Sequence, residues 1–213
     1  MITTYQEARG EYSVTCYRVE ITQDMRDRAL EFAKAIILSD NQYSRLLPQH
    51  VWDSGDVSLR QKLEIQRTYV GKLGELVFAK LLESRGIAVD YEDMFAIYAG
   101  QQNVDAFDFK TAAGKSVDVK TGFRSNHTRL LIPEDQFQDI PKDYYVGIKL
   151  NAVDTDASEK LVDWDSITWG DVLGYADWNY LNSYVKPRDF GESPARHIPY
   201  NKLMAINRLL REF

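Results

Sequence analysis

The chain has 213 residues, of which 44% are hydrophobic and 12% aromatic, and its formal net charge is −6. This composition excludes collagen-like, low-complexity and disordered chains, and the length favours one domain. A single cysteine, Cys16, excludes an internal disulfide, and no apolar run approaches the roughly 20 residues that cross a bilayer. The charged N-terminus lacks the apolar core of a signal peptide. We therefore expect a cytoplasmic protein with no membrane partner.

Charge is unevenly distributed along the chain. Five basic and two acidic residues lie between Asp108 and Arg129, whereas seven acidic residues and one basic residue lie between Asp154 and Asp177. An acidic protein binds polyanions poorly unless its positive charge is gathered in one place. This charge pattern is compatible with two solvated surfaces of opposite sign. It indicates a function only if the basic segment also contains candidate catalytic or binding residues.

The N-terminal part predicts a strand followed by a helix. β-branched and aromatic residues favour a strand over Ser13–Ile21. Thr22 is a typical N-cap for a helix that runs to about Ser39. The apolar residues of this segment recur at helical spacing: Met25, Ala29, Phe32, Ala33, Ile36 and Ile37.

The next predicted helix is long and contains no proline. It covers about 59–84, after an N-cap at Asp56 or Ser58, and Gly86 is expected to end it in a left-handed conformation. Its apolar residues fall near one face: Leu63, Val70, Leu73, Val77 and Leu81. A strand is predicted to begin at Ile87–Tyr91.

Two glycines, Gly71 and Gly74, interrupt this helix. Each costs about 1 kcal/mol of helix stability relative to alanine. Glycine within a helix is typical of a position where another element packs against the backbone, so we expect such a close approach here.

The middle of the chain predicts a hairpin and a further strand. Phe107–Lys110 and Ser116–Thr121 are joined by the turn Ala112–Lys115, which contains glycine. Arg129–Ile132 is β-like, and a helical turn is expected after Pro133.

The C-terminal part alternates again. Tyr144–Leu150 predicts a strand, Asp154–Glu159 an exposed loop, and Ile167–Tyr175 the last strand. Pro199 is a suitable first residue for a terminal helix that runs to Arg211. This order of elements predicts a mixed β-sheet flanked by helices.

The most informative segment contains an acid and an amine on one face of a strand. Residues two apart in a strand point to the same side, so Asp118 and Lys120 share one face and Val117 and Val119 the other. If the preceding hairpin arm carries Asp108, a second carboxylate reaches the same place. Two carboxylates about 4–5 Å apart repel each other unless a hard cation lies between them. Mg²⁺ suits such a site because it binds one or two carboxylates and substrate phosphates.

The acid-x-Lys triplet has little specificity alone. About one or two are expected by chance at ordinary charged content. The chain contains Asp108–Lys110 and Asp118–Lys120. Either one alone is more often a surface ion pair than a catalytic pair, so the surrounding pattern carries the inference.

The surrounding pattern resembles that of a nuclease superfamily. Gly71-x-x-Gly74-Glu75 on a helix is followed by a strand, Asp108, a glycine turn and Val-Asp-Val-Lys-Thr121. This order resembles the PD-(D/E)xK, or restriction-endonuclease-like, superfamily, and is closest to archaeal-type Holliday junction resolvases and related small nucleases. The resemblance covers about 71–121, a quarter of the chain. No proline precedes Asp108, and the second acid is Asp rather than the commoner Glu.

The resemblance implies a fold and its division along the chain. The fold is α/β, with a restriction-endonuclease-like core over about 59–176 in a single nuclease domain. A strand–helix extension over 1–58 precedes this core, and a helical segment over 177–213 follows it.

The resemblance also implies a catalytic set of Glu75, Asp108, Asp118 and Lys120. Mg²⁺, for which Mn²⁺ can substitute, would be held by the three carboxylates and the carbonyl of Val119. Lys120 would orient the attacking water and stabilise the charged transition state. The function implied is that of a metal-dependent deoxyribonuclease: a restriction, phage, or repair and recombination endonuclease.

Basic residues near this set are expected to contact DNA. Lys110, Lys115, Arg124 and Arg129 would bind backbone phosphates, which makes binding weaken steeply with salt. By analogy with the superfamily, the protein is a candidate homodimer that cuts both strands.

Several alternatives remain open from the sequence. Asp105 competes with Asp108 for the first acid, and Lys110 competes with Lys120, in which case Asp93 would supply the first acid. Glutamate on the helix could equally face solvent. A non-catalytic nucleic-acid-binding or assembly protein with this fold, and an RNA nuclease, are the alternative functions.

Overall fold

The computed structural model describes residues 1–39, 47–97, 108–156, 161–191 and 193–213. The strands in chain order are β1 (Ile2–Arg9), β2 (Tyr12–Glu20), β3 (Phe109–Lys110), β4 (Ser116–Gly122), β5 (Arg129–Pro133), β6 (Tyr144–Leu150), β7 (Val153–Asp156), β8 (Leu161–Asp163), β9 (Trp169–Asp177), β10 (Arg188–Asp189) and β11 (Pro194–Pro199). The helices are α1 (Gln23–Leu38), α2 (Gln49–Asp53), α3 (Val57–Glu83), α4 (Tyr91–Met94), α5 (Glu134–Asp139), α6 (Trp178–Tyr184) and α7 (Ile206–Leu209), with a 3-10 turn at Tyr200–Lys202.

The strands form a mixed α/β architecture. The main sheet has six strands in the order β1-β2-β9-β6-β4-β3, in which β4 and β6 are parallel and the other neighbours antiparallel. A three-stranded sheet has the order β10-β11-β5, and β7 pairs with β8. The predicted mixed sheet flanked by helices is confirmed.

The main sheet has a hydrophobic core on each face. On one face, α1 and α3 pack against the sheet, and Val117 and Val119 of β4 belong to this core. On the other face, Phe137 of α5 and Leu130 of β5 pack with Tyr145 of β6. The central strands are therefore covered on both sides, which explains why β6 is buried along almost its whole length.

The two long helices begin where their capping residues predict. Thr22 Oγ1 accepts a hydrogen bond from Met25 N at 3.3 Å, and Asp56 Oδ1 accepts one from Leu59 N at 2.9 Å. After α3, Gly86 adopts φ +77°, as expected for a left-handed helix end. These predictions are confirmed. They could be made from the sequence because each depends only on backbone groups near the capping residue.

Gly74 brings α3 close to the sheet. A Cβ at this position would overlap Oγ1 of Thr121 on β4. The expected close approach at a mid-helix glycine is confirmed at Gly74, and it fixes the distance between α3 and β4.

Two predicted segments near the middle are wrong. Ile87–Tyr91 is not a strand, because the Asp90 carboxylate accepts hydrogen bonds from Glu92 N and Asp93 N and so begins α4. The acidic stretch predicted as a loop from Asp154 instead pairs as β7 with β8. Residues 157–160 of that stretch lie outside the described part of the chain, as do Asp105 and Phe107.

The prediction for the C-terminal segment is also wrong. β9 is not the last strand, and Pro199 ends β11, opposite Arg129 of β5, where it precedes the short 3-10 turn Tyr200–Lys202 and not the expected α-helix. The helix in this region covers only Ile206–Leu209. Pairing with a strand more than 60 residues earlier decides this conformation, and local propensity does not reveal it. None of the described helices is both long and apolar enough to cross a membrane.

Candidate functional site

Asp108 lies at the edge of the main sheet, directly before β3. Its backbone N donates to the carbonyl of Val117 at 3.0 Å, which continues the pairing of the short strand β3 with β4. Its Oδ2 then accepts a hydrogen bond from Val119 N at 2.6 Å. The Asp108 carboxylate therefore accepts a hydrogen bond that the backbone carbonyl of a neighbouring strand would otherwise accept. This bond holds the carboxylate against β4.

The two faces of β4 carry different chemistry, as the period of two predicts. Val117 and Val119 are buried beneath α3, whereas Asp118 and Lys120 lie on the opposite face. Lys120 Nζ is 2.8 Å from Asp118 Oδ2 and donates to Gln136 Oε1 of α5 at 3.1 Å. This amine is thus held between a carboxylate of its own strand and an amide of the helix that covers the face.

Glu75 comes from α3 and is paired within its own helix. Lys72 Nζ donates to Glu75 Oε2 at 2.5 Å and to the carbonyl of Met94 at 2.8 Å. The same ammonium lies 4.5 Å from the centre of the Phe32 ring. The Glu75 side chain is 15% exposed, so it points away from bulk solvent.

The electrostatics of Asp108 connect these groups. Burial raises the pKa of Asp108 well above its ordinary value, and the carboxylates of Glu75 and Asp118 raise it further. The hydrogen bond from Val119 N and the charge of Lys120 oppose this shift. The charges of Glu75, Asp118 and Lys120 therefore all act on Asp108, and we call these four residues the acidic site.

The donor set of the acidic site fits a hard cation in part. Asp118 Oδ2 is buried and makes no hydrogen bond with the described residues, although it is in ion-pair contact with Lys120. Burial and the nearby carboxylates disfavour the ionised form of Asp108, and a cation beside this carboxylate would favour it. However, no group of three or more His, Cys, Asp or Glu side chains in the described residues is arranged to hold a metal ion. Two carboxylates with water ligands remain a sufficient protein contribution for Mg²⁺.

One residue near the site had no signal in the sequence. Lys142 is buried, and the charges of Asp118, Lys120 and Asp108 all act on its pKa. It lies just before β6, outside any recognisable motif. Only the parallel pairing of β6 with β4 brings this part of the chain to the acidic site.

The predicted DNA-binding residues divide between the two ends of β4. Lys110 is exposed on β3, and Lys115 donates to Tyr144 OH at 2.8 Å in the turn before β4. Arg124 follows the other end of β4, and Arg129 is exposed at the start of β5. At about 3.3 Å per residue, the seven residues of β4 separate its two ends by roughly 20 Å. These residues do not form one patch, and the acidic site lies between them.

Comparisons of the chain with family models, with curated proteins and with solved structures find no match. The superfamily resemblance therefore continues to depend on the residues of 71–121 and on their arrangement.

Proposed function

We propose that the chain is a Mg²⁺-dependent nuclease that hydrolyses DNA phosphodiester bonds, with a restriction-endonuclease-like core. The observation that carries this proposal is geometric: the Asp108 carboxylate accepts a hydrogen bond from Val119 N of β4, between Asp118 and Lys120, whose side chains are in ion-pair contact at 2.8 Å. The charge of Glu75, on α3, also acts on Asp108, so the proposal counts Glu75 as the third acid. Lysines pair with Glu75 and Asp118, whereas burial and these two carboxylates disfavour the ionised form of Asp108, which a bound cation would favour.

Within this proposal each residue of the acidic site has a role. Asp108 and Asp118 would hold Mg²⁺ together with the Val119 carbonyl, and Glu75 would bind it directly or through water. The bound ion supplies neutralisation of the charge that develops on the phosphate. Lys120 would orient the attacking water, whose oxygen bonds to phosphorus and whose proton passes to solvent, while the bond to the 3′ oxygen breaks and that oxygen takes up a proton from solvent. Gln136 keeps the Lys120 ammonium in position through its hydrogen bond.

A cleavage assay tests the proposal. Plasmid and oligonucleotide substrates are incubated with the protein in Mg²⁺, in Mn²⁺ and in chelator. We expect cleavage in either ion and none in chelator. Lys120→Ala should lower kcat by about 10²–10³-fold while DNA binding persists, because an electrostatic contact to the transition state is lost. Lys34→Ala, at an exposed position of α1, is the matched control and should cleave normally.

Other outcomes would change the proposal in defined ways. Full cleavage by Lys120→Ala, with loss in Lys110→Ala, would show that the other acid-x-Lys triplet is the functional one. Cleavage of RNA alone would make the protein an RNA nuclease. Cuts in both strands by a species of twice the chain mass would support the proposed homodimer.

A non-catalytic nucleic-acid-binding protein is the second candidate. Lysines already neutralise two of the three acids, since Lys72 pairs with Glu75 and Lys120 with Asp118. A protein that uses these ion pairs only for its fold needs no metal. Binding of DNA without cleavage in any ion would favour this candidate and contradict the nuclease.

A further inference from the structure

The connection between α5 and β6 covers the face of β4 that carries the acidic site. Tyr145 of β6 is the register partner of Asp118, so both residues belong to the same face of the sheet. Lys142 N donates to Tyr145 OH at 3.1 Å, and Gln136 of α5 accepts from Lys120. The first hydrogen bond joins the connection to the register partner of Asp118, the second joins α5 to Lys120, and Lys142 lies between these two points of the chain.

The ammonium of Lys142 has unused hydrogen-bonding capacity. The residue is 7% exposed, and Nζ donates to the carbonyl of Ile140 at 2.5 Å. An ammonium has three N–H donors. Among the described residues, no carboxylate lies within ion-pair distance of Nζ. Buried lysines are normally paired, so this one has room for an anionic partner.

The charged groups that act on Lys142 are those of the acidic site. Burial lowers the pKa of Lys142, Asp118 and Asp108 raise it, and Lys120 lowers it. The two amines therefore lie in one electrostatic neighbourhood. Asp118 pairs directly with Lys120, whereas no carboxylate of the described residues pairs directly with Lys142, so Lys142 is the amine of the two that has donors left for an anion.

We propose that Lys142 is a phosphate-binding residue, which donates to a phosphate oxygen of bound nucleic acid beside Lys120. This inference rests on the proposed function for the identity of the ligand. It assigns to the α5–β6 connection a direct role in holding the substrate, which the acid-x-Lys motif does not include. The competing explanation is structural: Lys142 balances the charge of Asp108 and Asp118 and contacts no ligand.

The test measures binding of a fluorescent DNA duplex in Ca²⁺ and in chelator over a range of salt concentrations. Lys142→Gln should weaken binding by about tenfold or more, since a contact between charged groups is lost. The slope of log K against log salt should fall by about 0.9, which corresponds to one phosphate contact. Lys142→Met, which leaves no amide to pair, should behave in the same way, Lys142→Arg should restore binding, and Lys34→Gln should change nothing.

The outcomes separate this inference from the proposed function. A wild-type enzyme that cleaves DNA, with an unchanged salt slope in Lys142→Gln and Lys142→Met, overturns the role of Lys142 and leaves the nuclease standing. A lowered melting temperature with an unchanged slope supports the structural explanation and also overturns the inference. A reduced slope in a protein that never cleaves supports phosphate binding and contradicts hydrolysis. A wild-type protein that binds no nucleic acid contradicts both.

Discussion

Two buried charge clusters of this molecule differ in how completely their polar atoms are paired. In the first, the Arg9 guanidinium donates to Glu7 Oε2 at 2.6 and 2.8 Å and to the carbonyls of Leu173 and Leu203. In the second, the acidic site, Asp118 Oδ2 is in ion-pair contact with Lys120 but makes no hydrogen bond with the described residues, and burial together with the carboxylates of Glu75 and Asp118 disfavours the ionised form of Asp108. We call the first group of four residues the Arg9 cluster.

The difference indicates what each cluster does. The Arg9 cluster joins β1 to β9 and to the segment before α7, and its donors are used within the protein. Buried groups in a structural network are satisfied because an unpaired one costs stability. The acidic site retains a hydrogen-bond acceptor, Asp118 Oδ2, and repulsion among its carboxylates, as expected where a bound ligand completes the arrangement. If the Arg9 cluster is structural and the acidic site functional, substitutions in the first should mainly lower stability and those in the second should mainly change metal binding and cleavage.

Arg9→Met should have the largest effect on folding. It removes a fully buried charge and leaves Glu7 and two carbonyls without their partner, which should lower the free energy of unfolding by about 3–5 kcal/mol. Chemical denaturation measures this loss. Arg211→Met, at an exposed position, is the control and should cost little. A small loss in Arg9→Met would show that the Arg9 cluster is not a structural network.

Gly74→Ala should destabilise the protein although alanine favours helices. A Cβ at Gly74 would overlap Thr121 Oγ1, so α3 must move away from β4 at a cost of about 1–3 kcal/mol. Glu75 moves with the helix, so cleavage should fall as well. Thr121→Ala in the same chain should recover part of both losses. If Gly74→Ala instead stabilises by about 1 kcal/mol, as helix propensity alone predicts, this close packing does not exist.

Asp108→Asn should stabilise the metal-free protein at neutral pH by an amount on the order of 1 kcal/mol. The folded protein raises the pKa of Asp108 above its unfolded value, so the contribution of this group is greatest below the unfolded pKa. This stabilising contribution is lost as pH rises through the pKa of Asp108 in the folded protein. Asparagine does not ionise, so the loss does not occur, and its side-chain oxygen can still accept a hydrogen bond from Val119 N. Denaturation in chelator at several pH values measures the effect.

The effect of Mg²⁺ should be opposite. It should stabilise the wild type and not Asp108→Asn, because the ion needs the carboxylate. Asp93→Asn, at an exposed position, is the matched control and should behave as the wild type in both conditions. Equal stabilisation of Asp108→Asn by Mg²⁺ would separate Asp108 from any metal site.

Lys110→Ala should have the smallest effect of the series. Its exposed side chain is expected to make one phosphate contact, so binding of duplex DNA should weaken severalfold and the salt slope should fall by about one. Titrations at several salt concentrations measure both. Stability should not change, and an unchanged slope would remove Lys110 from the DNA-binding surface.

Local signals allowed much of the fold to be predicted. The caps Thr22 and Asp56, the left-handed Gly86 and the strand Tyr144–Leu150 depend on residues near in sequence. β11 was missed because its conformation depends on pairing with β5, far along the chain. Asp90 acts as a cap where the apolar residues around it suggested a strand.

The acidic site shows the same division. The period of a strand predicts that Asp118 and Lys120 share a face of β4. The hairpin of β3 and β4 predicts that Asp108 lies near them. Gln136 and Lys142 could not be predicted, because a parallel crossover brings them to β4 without any local pattern. Residues that support a site from another element become visible only in three dimensions.

The most direct test of the central claim is a crystal structure of the protein soaked in Mn²⁺, with the ion located by its anomalous scattering. We predict one ion at about 2.0–2.3 Å from carboxylate oxygens of Asp108 and Asp118, with the Val119 carbonyl as a further ligand. Under the same conditions, crystals of Asp108→Asn should show no ion there. An empty acidic site in the wild type, or an ion bound only at other residues, would contradict the account.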